Sequence, residues 1–210
     1  NEEFKKLYNP LRLSAFLYIL YASFGNLIIG YFGKASTIAD VNATGRLAMF
    51  LVIIDRIAGT FIMPRLAQAK SFSSYKQSLF VAHALYLAMA TAIILSAWLL
   101  PDLWILLIGD KYLNIRNILW IAFAGSLLMN LAGFTFTCLT SRGFTSKQLP
   151  ILIGGVLTQI IAIKILGMDD ALHVFIINLI TASTFAIGNL LLMFFQIKRQ
   201  HNFELSTVVN

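Results

Sequence analysis

Long apolar runs broken by short polar connectors set the pattern of this chain. The runs cover about residues 13–32, 44–66, 78–100, 117–140, 149–166 and 171–197. Each is long enough, at roughly 20 residues, to cross a bilayer as a helix. None shows the strict apolar–polar alternation of a membrane β-strand, so the pattern predicts six transmembrane helices and not a barrel. Residues 1–12 read as a polar linker ending in Pro10, and residues 199–210 as a disordered tail. The expected fold is all-α: a polytopic membrane protein with a six-helix transmembrane bundle.

The connectors carry their own signals. Gly33–Ala43 is a short linker with Lys34 and Asp40. Pro64-Arg65 marks the end of the second span, and Pro101-Asp102 stops the third. The segment Asp102–Tyr112 (DLWILLIGDKY) is too short to cross and too apolar for a loop. With Trp104 and Tyr112 at its edges it fits the membrane interface or a shallow re-entrant turn.

Composition agrees. Apolar residues make up 59% of the chain and charged ones 12%, with mean hydropathy +0.80. A soluble domain of this size needs more charge to cover its surface. The net charge of +7 is topological, because ten of the sixteen basic residues fall in the N-terminal segment, the second and fourth connectors and the tail. The opposite connectors hold only Lys34, Lys111 and Arg116 beside Asp40, Asp102, Asp110, Asp169 and Asp170. By the positive-inside rule both termini are cytoplasmic. No basic patch interleaved with exposed aromatics suggests nucleic acid. Cys138, the single cysteine, excludes an intrachain disulfide and a Cys-based metal site.

Three basic residues lie inside apolar runs. Arg56 and its neighbour Asp55 fall at the middle of the second span, Arg46 near its start, and Lys164 near the end of the fifth. A charge at bilayer depth costs at least about 2.5–3.5 kcal/mol, so the second span is expected to turn one face to a wet cavity inside the bundle. Residues one apart on a helix point about 100° apart, so Asp55 and Arg56 look to partners other than each other. Asp55 is read either as a counter-charge or as a proton acceptor. Arg46 is read equally as lining the cavity or as snorkelling; Lys164 is read as snorkelling. If the three cations converge they form a site for phosphate or another anion.

The apolar runs also hold Asn26, Asn130 and Asn178, with Ser and Thr around them. Such residues pack helices together or line a lumen. His83 is expected to hydrogen-bond within the bundle or reach an interface rather than relay protons. No catalytic grouping, cofactor motif or paired metal-ligand spacing appears. Asp169-Asp170 is similar to the acidic pairs of some membrane transferases, but its place in a connector favours an ordinary charged turn. The chain is therefore expected to be no enzyme.

Two segments carry a family resemblance. The run from Tyr31 to Gln68, with Pro64, Arg65 and Leu66 closing a helix, resembles the start of the second half of the polysaccharide (O-antigen) flippases. LPDLWILLIGDKYLNIRNILWIAF is similar to that family's leucine-rich turn, with Gly109, Tyr112 and Leu119 matching, and CLTSRGFTSKQ fits the end of the helix that follows. The resemblance spans about Leu11 to Lys198 and rests on order and spacing. It implies the multidrug/oligosaccharidyl-lipid/polysaccharide exporter fold, two six-helix bundles of which this chain would be the C-terminal one. The implied function is flipping of undecaprenyl-pyrophosphate-linked oligosaccharide across the bacterial inner membrane by alternating access. The implied partners are that lipid-linked oligosaccharide, the lipid bilayer and an N-terminal six-helix bundle. Arg56 and Arg46 would belong to a cationic cavity. The alternatives are an ion-coupled drug or lipid exporter of the same superfamily and, in a different class, a membrane saccharide polymerase or transferase.

Overall fold

The computed structural model describes residues 34–48, 58–69, 71–140 and 148–208, with positions 30, 51 and 53 in addition. The described residues are helical, without strands. In chain order they form α1 (Ala35–Ala48), a π-helical turn (Ala58–Ile62) running into α2 (Met63–Gln68), α3 (Phe72–Leu99) and α4 (Pro101–Ile108). A 3₁₀ segment (Asp110–Ile118) then leads into α5 (Leu119–Thr140), followed by α6 (Gln148–Leu166) and α7 (Ala171–Val208).

Four helical stretches are long and apolar enough to cross a membrane: Phe72–Leu99, Asp110–Thr140, Gln148–Leu166 and Ala171–Lys198. The expected first span, residues 13–32, lies outside the described residues except for Gly30, and the centre of the second lies outside them as well. Phe80 and Leu85 on α3, Leu157 and Ile165 on α6, and Ile187 and Phe194 on α7 are all exposed. An apolar exterior of that extent is stable against lipid and not against water.

Three expectations are corrected. The linker Gly33–Ala43 is helical from Ala35 onward, because α1 has an amphipathic face to bury: Thr37, Asp40, Ala43, Thr44 and Leu47 point inward. Pro64 does not close a helix; it sits in the first turn of α2, directly after the π-helical turn. A proline ring collides with the carbonyl four residues back, here Thr60, and the wider π turn gives that carbonyl room. The tail is not disordered from residue 199, since α7 continues to Val208.

The helix ends follow local rules. Ser71 caps α3 by accepting from the Ser74 amide at 3.2 Å. α3 breaks at Leu100, which precedes Pro101 and leaves the helical region. Gly109 (φ +101°) and Gly167 (φ +71°) end α4 and α6 in a conformation that L side chains rarely adopt. Asp170 caps α7 through the His173 amide at 2.9 Å, so the acidic pair Asp169-Asp170 serves a helix start.

α7 packs along both α5 and α6. Gly125 lies against Asn178 and Leu179, while Ala132, two turns on, shares an apolar cluster with Phe185 and Ala186; α5 and α7 therefore run parallel. Gly155 meets the Phe185 ring and Gly188 meets Ile151, so α6 runs antiparallel to α7. Small residues at these points bring the helix backbones close, as membrane packing requires.

α3 and α5 are joined by an antiparallel ladder. Tyr75 Oη donates to the Cys138 carbonyl (3.3 Å), Tyr86 Oη to the Leu127 carbonyl (3.1 Å), and His83 meets Thr135 between them (3.0 Å). At one end of the bundle Thr37 Oγ1 donates to the Asp169 carbonyl (3.0 Å) and Asn114 Nδ2 to Asp40 Oδ2 (2.6 Å). Those bonds gather the start of α1, the α6–α7 turn and the segment after α4, the three acidic connectors, at one end.

Candidate functional site: an open polar strip on α5

The sequence-derived site residues divide by place. Asn26, Asp55 and Arg56 lie outside the described residues. Lys164 is exposed in the last turn of α6, just before Gly167, where a cation meets the negative end of the helix. Arg46 is exposed on α1, on the side away from Asp40 and Leu47. Because α1 starts at Ala35, Arg46 lies nine residues beyond Thr37, about 13 Å along the helix axis from the acidic end. Lys164 lies close to that same end, since the α6–α7 turn bonds to Thr37. The two cations thus stand at different depths.

Asn178 is half-buried with its amide against Gly125. It fills the α5–α7 interface, where a packing role is the direct reading. Asn130 differs. It is half-buried on α5 and makes no side-chain hydrogen bond to any described residue.

Asn130 belongs to a strip. Ser126, Asn130, Gly133 and Thr137 recur at i, i+4, i+7 and i+11, a single helical face. Gly133 and Thr137 are exposed, Ser126 and Asn130 half-buried. A side chain at Gly133 would meet nothing within 4 Å. Thr137 satisfies its own hydroxyl by donating to the Gly133 carbonyl at 2.9 Å. By helical angle the strip lies between the edge of α5 that meets α7, through Gly125 and Ala132, and the edge that meets α3, through Leu127 and Phe134.

What the strip lacks distinguishes it from its neighbours. α3, α6 and α7 all expose large apolar side chains, and α5 exposes none between Leu119 and Thr140. Its two exposed positions, Gly133 and Thr137, are small or polar, while the large apolar Met129 and Phe136 beside them are half-buried. α1 has a similar open side, with Ser36, Ala39, Asn42, Gly45 and Arg46 exposed. A lipid-facing helix has no reason to keep amide, hydroxyl and guanidinium groups outward at such positions. These faces suit water or a polar ligand.

The buried polar groups elsewhere are structural. His83 Nδ1 lies 2.9 Å from the Leu79 carbonyl, an acceptor only, so Nδ1 carries the proton. Nε2 then faces the Thr135 hydroxyl at 3.0 Å, whose single proton also reaches the Leu131 carbonyl at 2.8 Å and is shared between the two acceptors. The ring also tilts against Phe134, centroids 5.0 Å apart. His83 is bonded within the bundle, as the sequence reading expects. Among the described residues no three His, Cys, Asp or Glu side chains gather into a metal site.

Sequence reasoning missed two things here. The Asp40–Asn114 bond gave no signal, because its partners are 74 residues apart. The strip was readable as a spacing of four small or polar residues in an apolar run, but only burial separates an open face from a packed one.

The chain matches no family model, no curated protein and no solved structure at a significant level.

Proposed function

We propose that this chain is half of an alternating-access carrier that flips undecaprenyl-pyrophosphate-linked oligosaccharide across the bacterial inner membrane. The supporting observation is the open polar strip of α5, which together with the polar side of α1 stands out from α3, α6 and α7, whose open faces carry large apolar side chains. Hydroxyl and amide groups along such a strip exchange hydrogen bonds with a sugar chain, and the gap at Gly133 leaves room for its bulk. The family resemblance supplies the class of cargo.

In this reading the six expected spans form one bundle with both termini cytoplasmic, facing a second six-helix bundle across the cavity. Rocking of one bundle against the other exposes the site to each side in turn. Arg56 holds the pyrophosphate, assisted by Arg46, through charge-assisted hydrogen bonds in a low dielectric. Asn130, Ser126 and Thr137 meet sugars. The protein moves its cargo without making or breaking a covalent bond.

The test is complementation of a flippase-deficient strain. Arg56→Ala and Gly133→Trp are expected to abolish complementation at unchanged membrane levels, the first by removing the anion clamp and the second by filling the gap. Full complementation by both overturns the reading.

A further inference from the structure

The segment between α3 and α5 turns one face of α4 onto the bundle core and leaves the opposite face exposed. α3 breaks at Leu100, and Trp104 Nε1 donates back to Ser96 Oγ at 3.2 Å. In an unbroken helix residues eight apart are separated by about 12 Å of rise. The bond therefore requires α4 to fold back over the last turn of α3. Ile105 points inward at 2% exposure and the Trp104 ring stands edge-on to Phe123, centroids 4.8 Å apart. The far end is tied as well, since Arg116 grips Asp102 through both Nε and Nη2, the latter at 2.6 Å.

This folding leaves Leu103, Leu106 and Leu107 outward, at 59%, 73% and 61% exposure. Their spacing of i, i+3 and i+4 makes one face of α4. The face continues the exposed apolar end of α3 formed by Trp98, Leu99 and Leu100. Charged residues, Asp102, Asp110, Lys111 and Arg116, flank it and are exposed.

Depth follows from α3. Its first residues, Ser71 to Gln77, are mostly polar, and residues 78–99 are apolar, which spans roughly 33 Å. That matches a hydrocarbon core of about 30 Å and puts Leu99 at the boundary. Trp104, bonded to Ser96, then lies about one turn, roughly 5 Å, inside it.

We propose that the leucine face of α4 is seated in the headgroup–acyl boundary of the bilayer, holding the α3–α5 connection at fixed depth as an interfacial helix. An interfacial helix places its apolar face about 5–10 Å into that boundary with its charges toward water, and α4 presents both features. Seating of α4 in lipid does not depend on the cargo that the protein moves, so α4 is interfacial whether or not the protein is a carrier.

Nitroxide labels on the full chain in phosphatidylethanolamine–phosphatidylglycerol vesicles test it. Single cysteines at Leu106, Leu85 and Asp110 are compared in a Cys138→Ala background. At position 106 collisions with oxygen should dominate those with a water-soluble nickel chelate, giving a depth between the mid-span value at 85 and the aqueous value at 110. Nickel access at 106 equal to that at 110 places α4 in water and overturns the proposal. Shielding of 106 from both reagents places it against protein and overturns it equally.

Discussion

His83 on α3 and Thr135 on α5 meet side chain to side chain within the bundle, Nε2 lying 3.0 Å from Oγ1. The bond is the middle rung of the three that join these helices. It takes a histidine that sequence alone leaves between several roles and gives it one.

Thr135→Val removes this bond while keeping the shape of the side chain. Interhelical hydrogen bonds in membrane proteins are worth about 0.6 kcal/mol on average and up to about 1.7, and a loss in that range is expected. His83→Ala should cost more, because it also leaves a void beside Phe134 and Tyr86. Unfolding in a graded detergent series measures both; equal stability of Thr135→Val and the parent would remove the bond from the account.

The glycines make a paired prediction. An added Cβ at Gly155 would collide with the Phe185 ring, whereas at Gly133 it would meet nothing within 4 Å. Gly155→Ala should lose about 1–3 kcal/mol by overpacking. Gly133→Ala should be neutral or gain up to about 1 kcal/mol from helix propensity. Thermal unfolding in detergent separates them, and a large loss at Gly133 would mean that the strip is packed.

Asp40 is 8% exposed and accepts from Asn114 at 2.6 Å. Asn114→Leu strands a buried acceptor, for which about 1–3 kcal/mol is expected. The double variant Asp40→Leu/Asn114→Leu should lose less than the two single losses added together. Strict additivity in that cycle would show that the two side chains are not coupled.

The Asp102–Arg116 pair predicts a pH response at α4. Hydrogen bonding to Arg116, aided by its charge, holds the Asp102 carboxyl below its ordinary value. A depressed carboxyl contributes stability above its unfolded value, about pH 4, and loses it as pH falls through the lower folded value. Both side chains are largely exposed, at 43% for Arg116 and 66% for Asp102, so global stability should barely move. Protection of the amides in residues 109–116, taken relative to their intrinsic exchange rates, should instead fall below that pH, and Asp102→Asn should show the low protection at neutral pH.

Much of the architecture is legible because lipid imposes one rule on every span: backbone polar groups must be satisfied within the helix. Long apolar runs are then sufficient to place α3, α5, α6 and most of α7. The rule weakens where a segment is polar enough to stand on either side of the boundary. α1 begins at Ala35 because its inward face finds Asn114 and the Asp169 carbonyl as partners, and no local signal predicts partners so distant.

The candidate site shows the same division. Chemistry by residue type, such as an amide at 130 or a guanidinium at 46, is written in the sequence. Whether that chemistry is open or packed is not, since Asn130 and Asn178 look alike along the chain, yet one lies on an open face and the other against Gly125.

By itself the sequence determined that this protein is built of apolar helices, where most of them run and that acidic connectors alternate with basic ones, because those features depend on near neighbours and on the solvent. Only the tertiary structure decided which polar residues face outward, how α4 folds back on α3 and which distant groups share a proton. Those outcomes depend on the packing of helices far apart in the chain, where one small residue sets the distance at which two backbones meet.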